Sequence, residues 1–310
     1  MERIRTIHQT YYLMIMIAVA LLGVNWTPSL NTQVLLLAAG VALIGIAHGA
    51  IDHRFGRVLF ERQFPRFWFL PFRFFYLGLA GLMAGVWIWD SRLGLAIFFL
   101  MAVPHFGFVD AEESYYSDSR YYVSALTVGT FPIVLPAFFS PVDVSKIFNW
   151  LMISGGNFTP SVVRSWALPV LMIVLLVKAV LLVGRLQSEG LRKAVLLDGL
   201  ESIAMVGLFW STPALIGFLT YYCAGHSVRE ALEISRDINP DDLQSGFQEF
   251  VRASLPLTGV TLIGGIGVVW LLVSGGFELT PALAVIVFIG LSSLLIPHML
   301  VEYLHEHPIS

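Results

Sequence analysis

Long apolar stretches separated by short polar breaks set the pattern of this chain. A membrane-crossing helix needs about 20 mostly apolar residues, and about 17 suffice. Read by that rule, the sequence predicts ten spans: 11–27, 34–52, 73–90, 93–110, 122–140, 166–184, 194–210, 212–230, 253–274 and 281–304. Lipid satisfies no backbone hydrogen bonds, so each span must be a helix or a strand of a closed barrel. The apolar runs are too long and unbroken for the alternating strands of a barrel. Three spans are interrupted. Pro104 falls within 93–110, Asp198 and Glu201 lie in 194–210, and only Ser211–Pro213 separates 194–210 from 212–230. The expected fold is therefore an all-α polytopic membrane protein, a bundle of about ten helices with eight as the lower bound. Residues 1–310 are read as one integral membrane domain without an internal repeat. The 140–165 connection is expected to carry a short interfacial helix on the outer side.

Composition agrees. The chain is 57% hydrophobic and 13% charged, against about 25% charged in an ordinary soluble domain. Its mean hydropathy is +0.78. A formal net charge of −3, thinly spread, argues against a nucleic-acid partner. Cys223 is the one cysteine, so no intrachain disulfide can form and no oxidising compartment is implied. The first apolar run lacks a small-residue cleavage site after it and reads as a membrane helix rather than a removed signal.

Orientation follows from the cations. With ten spans, one set of loops holds fourteen: Arg3, Arg5, Arg54, Arg57, Arg62, Arg66, Arg73, Arg120, Arg185, Arg192, Lys193, Arg229, Arg236 and Arg252. The other set holds three, Arg92, Lys146 and Arg164, and Lys178 falls inside a span. Positive charge marks the cytoplasmic side, so both termini are expected in the cytoplasm. The expected location is the inner cell membrane, crossed many times.

The histidines change the picture. His8 is assigned to the N-terminal tail, and His305 and His307 to a solvated C-terminal tail. The others fall late in the second, fourth, eighth and tenth spans: His48 with His53, His105, His226 and His298. In this topology those spans run inward, so all four groups sit toward the cytoplasmic leaflet. Asp52 follows His48 by four residues, Glu230 follows His226 by four, and Glu302 follows His298 by four. That spacing puts each pair on one helical face. Asp110 follows His105 by five. Ionisable groups within spans are costly and face the bundle interior. A histidine beside a carboxylate reads as a metal ligand with its orienting partner, or as two ligands from one face. Imidazole with carboxylate and no thiolate suits iron, and less well zinc, manganese or copper. His53 lies about 140° around an ideal helix from His48, so both cannot point at one ion. It reads as interfacial, with Arg54 beside it. Asp118, Asp237, Asp241 and Asp242 read as solvated loop residues. Gly45 and Gly49, one turn apart, would let a neighbouring helix approach closely. The aromatic residues read as lipid-facing groups and interface anchors, or as the lining of an apolar tunnel.

Four motifs now carry a resemblance: "AHGAIDH" (47–53), "PHFGFVD" (104–110), "GHSVRE" (225–230) and "IPHMLVE" (296–302). In identity and order they resemble those of the Brp/Blh family, membrane proteins that cleave β-carotene at its central double bond to give two retinals. The resemblance implies one Fe(II), with His48, His105 and His226 as ligands. It places the fourth ligand four residues after His226, where a histidine is expected and Glu230 stands. Glu230 is then the fourth ligand, or His298 completes a four-histidine set with Glu230 beside it. A carboxylate is a competent iron ligand, and it makes the sphere one charge more negative. Asp52 and Asp110 are expected to orient His48 and His105 through their second nitrogens. Glu302 and His53 are retained as further candidates at the centre.

The implied activity is an iron-dependent, O₂-using carotenoid dioxygenase, an oxidoreductase that draws an apolar carotenoid from membrane lipid. One alternative is a membrane di-iron hydroxylase or desaturase, although the chain has no HxxxH or HxxHH box. Another is a proton-coupled transporter, since histidines and acids in spans also form proton relays.

Overall fold

Residues 2–111, 120–186 and 192–307 are described by a computed structural model, with backbone alone at 2, 3, 192–194 and 306. Asp118 lies outside the described residues. Every regular element among the described residues is helical. In chain order these are α1 (Glu2–Gly23), α2 (Leu30–Gly40), α3 (Asp52–Glu61), α4 (Phe69–Trp89), α5 (Ser91–Asp110), α6 (Arg120–Phe139) and α7 (Pro141–Leu151). There follow α8 (Pro160–Leu186), α9 (Arg192–Ser211), α10 (Ala214–Leu219), α11 (Ser227–Ile238), α12 (Leu243–Ser274) and α13 (Leu279–Glu306).

Among the described residues, eight segments are long and apolar enough to cross a membrane: Ile4–Gly23, Leu30–Glu61, Phe69–Trp89, Ser91–Asp110, Arg120–Phe139, Pro160–Leu186, Leu243–Ser274 and Leu279–His305. This is the lower bound of the expected count. The pair 194–210 and 212–230 is not among these eight. Asp198 and Glu201 lie within α9, and residues 212–230 run through α10, a π-helical segment, Thr220–His226, and the start of α11. The connection after α6 contains a helix, as expected, in α7.

The chain forms two compact units, each drawn from three stretches. The first comprises Met1–Leu37, Val103–Asn149 and Asn157–Arg229. In it α1 packs on α9 and on the π segment, and α6 packs on α8, α9 and α10. Two glycines set the fit between α6 and the end of α5. A Cβ on Gly107 would stand 2.0 Å from the Ala125 carbonyl oxygen, and one on Gly129 would stand 1.9 Å from that of Val103. Only glycine permits backbones this close, and His105 lies two residues from the contact. His8 is a correction to the sequence reading. It is buried within α1, stacks on Tyr12 and places Nε2 3.1 Å from the Ala224 carbonyl oxygen. An apolar face of α1 extends further toward the N-terminus than the hydropathy run suggests.

The second unit comprises Ala38–Ala102, Trp150–Gly156 and Glu230–Ser310. Here α13 packs on α4, α3 and α12, and α12 covers the 3₁₀ turn Gly49–Ile51. Ile51, Ile234 and Phe250 form its small apolar core beside the site. Trp87 of α4 is fully buried, and its indole N–H donates to the Ser292 hydroxyl at 3.0 Å.

Candidate metal centre

The second span does not remain α-helical to its end. After α2 the helix widens into a π segment, Val41–Gly45, in which the Ile46 N–H reaches back to the Val41 carbonyl at 3.0 Å. A turn at His48 and the 3₁₀ turn follow before α3 begins at Asp52. A π segment holds one extra residue per turn and is often found at functional sites. The same device precedes His226, which ends the π segment Thr220–His226. Pro104 and Pro297 stand inside α5 and α13, each directly before a histidine. Each removes one backbone hydrogen bond from its helix.

In the second unit these breaks bring His48, Glu230 and His298 together. One donor atom of each lies within 4.8 Å of the others, and all three are buried. His48 Nε2 is 3.5 Å from Glu230 Oε2, and His298 Nε2 is 3.3 Å from Glu230 Oε1. Glu302, one turn after His298 on α13, places Oε2 3.5 Å from the same Nε2. Asp52 takes His298 Nδ1 at 2.9 and 3.0 Å with its two oxygens. Tyr76 of α4 donates its hydroxyl to Asp52 Oδ2 at 2.7 Å. Asp52 was expected to orient His48, and here its carboxylate engages His298. The i, i+4 argument assumed a regular helix, and the 3₁₀ turn between the two residues breaks that register. Gly49 packs beside this arrangement, and a Cβ there would meet His298 Nδ1 at an ordinary contact distance of 3.9 Å.

In the first unit His105 and His226 face one another, Nε2 to Nε2, at 3.1 Å. His226 is fully buried and packs against Phe106, Tyr221 and Tyr222. Asp110 was expected to orient His105. Its Oδ1 instead lies 3.7 Å from His226 Nδ1, and Tyr221 donates to its Oδ2 at 2.6 Å. Arg229 donates to Asp110 at 2.9 Å and to Glu201 at 2.8 Å, and Gln9 donates to Glu201 at 2.7 Å. Arg229 was counted among loop cations, yet it is buried. Arg185 was also, and it lies buried 3.8 Å from Asp198, which takes Lys178 Nζ at 2.6 Å. The acids that interrupt 194–210 are thus partners of buried cations. The sequence pattern missed Tyr76, Tyr221 and Arg229. A tyrosine in an apolar run reads as an interface anchor, and nothing in its spacing marks it as a donor.

The remaining candidates lie elsewhere. His53 directs Nδ1 to the Ala50 carbonyl at 2.9 Å. With His305, Arg57, Trp68, Ile238 and Asp237 it lines an open cleft of about 540 Å³. His305 is exposed on α13, with its ring 4.7 Å from that of Phe55. Asp237 belongs to α11, not to a loop, and is exposed, as expected. Partial burial raises its carboxyl above the ordinary value, against the pull of Arg236 and His305. Asp242 is exposed, as expected, and caps α12 by accepting from Gln244 N and Ser245 N.

The donor set fits an iron ion. Ligands about 2.0–2.2 Å from one metal stand roughly 3 to 3.5 Å apart, and the spacings around Glu230 are of that size. Two imidazoles and a carboxylate, without thiolate, form the set associated with non-haem iron. A helical membrane protein with a buried histidine–carboxylate centre is the class defined by fold and site.

The comparisons then give the family. A family-wide sequence profile described as beta-carotene 15,15'-dioxygenase matches residues 39–306, and the chain belongs to that family. A beta-carotene 15,15'-dioxygenase from uncultured marine bacterium 66A03 is 26% identical over 265 residues, covering 84% of this chain and 89% of that protein. No solved structure matches. The protein is accordingly an enzyme, an oxidoreductase.

Proposed function

We propose that this protein is an iron-dependent, O₂-using dioxygenase that cleaves β-carotene at its central double bond to give two retinals. The carrying observation is the convergence of His48, Glu230 and His298 in a member of this family. The proposed ligand set is His48, His105, His226 and Glu230. Its basis is the motif order, together with the spacing that places Glu230 one turn after His226. When bound, Fe(II) supplies O₂ activation, chemistry that side chains alone do not provide. In the overall reaction the central C=C bond breaks and each of its carbons ends as an aldehyde bearing one oxygen atom.

The chain contributes position, charge and dryness. Asp110 steadies His226, and Arg229 and Tyr221 hold Asp110 in place. The apolar helices admit a carotenoid from membrane lipid and keep bulk water from the centre. Both termini are read as cytoplasmic. An even number of spans, ten or eight, leaves both termini on the same side of the membrane.

The test is production of retinal by purified, iron-loaded protein supplied with β-carotene and O₂. Close to two retinals per β-carotene consumed is the expected result. No aldehyde from folded, iron-loaded protein overturns the reading. Glu230→Ala is expected to lose iron, measured as metal per chain beside wild type.

A further inference from the structure

We infer that His298 is itself a metal ligand, aimed by a Tyr76–Asp52 hydrogen-bond relay that makes these two positioning residues of the centre. The inference rests on the iron reading above and adds a donor from α13 to it. Three elements contribute, all in the second unit. Tyr76 of α4 donates to Asp52 at 2.7 Å, and Asp52, the first residue of α3, meets His298 Nδ1 of α13 at 2.9 and 3.0 Å.

A carboxylate only accepts, so Nδ1 carries a proton, and in the neutral ring that a bound cation requires Nε2 then presents its lone pair. Backing the distal nitrogen with a carboxylate is how metal-bound histidines are oriented. The phenol serves Asp52 in turn, because its donation to one oxygen restricts rotation of the carboxylate. Nε2 points to Glu230 Oε1 at 3.3 Å and to Glu302 Oε2 at 3.5 Å. The observed separations are those of neighbouring donors around one ion. Asp52, Glu230 and Glu302 gather around this one imidazole, a grouping of negative charge that suits a bound cation. The rival role for His298 is an imidazolium in a purely structural ion pair.

Metal titration distinguishes the two. Co(II) serves as an optical probe and Fe(II) is titrated anaerobically, with purified full-length protein in detergent. His298→Gln is expected to weaken both metals by at least about tenfold and to shift the visible Co(II) bands. Tyr76→Phe keeps the ring and is expected to weaken binding by about tenfold. His307→Gln, on the exposed end of the chain, is the control and is expected to match wild type. Wild-type affinity and an unshifted spectrum in His298→Gln, with His48→Gln losing metal, overturn the inference and leave the iron reading standing. If His298→Gln does not fold, Tyr76→Phe decides, and wild-type affinity there overturns the relay. A wild-type protein that binds neither metal overturns the iron reading, and this inference with it.

Discussion

Both units set a histidine against a buried carboxylate, yet they hold that carboxylate by different means. In the first, Asp110 backs His226 while a buried guanidinium, Arg229, ties Asp110 to Glu201 and through it to Gln9. In the second, Asp52 backs His298 and its partner is a neutral phenol, Tyr76. A buried guanidinium neutralises charge and joins helices. A phenol aims a carboxylate without cancelling it. The first arrangement therefore carries its own counter-charge, and the second keeps the negative charge of its carboxylate.

The largest effect should come from removing the guanidinium. Arg229→Ala leaves Asp110 and Glu201 buried without their shared cation, and breaking a buried pair in this way costs about 3–5 kcal/mol. A detergent-denaturation midpoint measures it. An unchanged midpoint would erase the contrast between the units. Asp52→Asn comes next. It keeps the shape and removes the charge, and it should weaken metal binding about 10–100-fold with a far smaller change in midpoint than Arg229→Ala. A midpoint loss equal to that of Arg229→Ala would make Asp52 architectural too.

Gly107→Ala follows, because its new Cβ must displace the Ala125 carbonyl. Overpacking of this kind costs about 1–3 kcal/mol, and circular dichroism on heating would register it. The smallest effect is a solvated counterpart in the second unit. Hydrogen bonds from the Ser245 hydroxyl, then from backbone N–H groups, hold the Asp242 carboxyl below its ordinary value. A folded-state value below the unfolded one stabilises above the ordinary carboxylate range. That contribution is lost as the pH falls through the lowered value. Asp242→Ala should lower the thermal midpoint slightly at neutral pH and leave it unchanged in strong acid. An equal loss at both pH values would refute the cap.

The helices were legible because the apolar runs are long, whereas nothing in the sequence marks the π segments within them. The histidines were legible because imidazoles stand out in an apolar span, and Glu230 because it falls one turn beyond His226. Their partners were not. Asp52 and Asp110 lie next in sequence to one histidine and serve another, since spacing speaks for one helix and the hydrogen bond crosses to a second. Arg229 looked like a loop cation because a buried guanidinium and a solvated one read alike until their partners are placed. His8 was assigned to a tail for a similar reason.

The π segments Val41–Gly45 and Thr220–His226 also bear on which way the histidines face. A π turn is an α turn carrying one inserted residue. Carried in a regular α-helix, the same extra residue would rotate everything beyond it by about 100°. His48 and His226 would then swing away from their present partners, although each would still be encoded. In these two stretches the form of the turn matters as much as the letters in it.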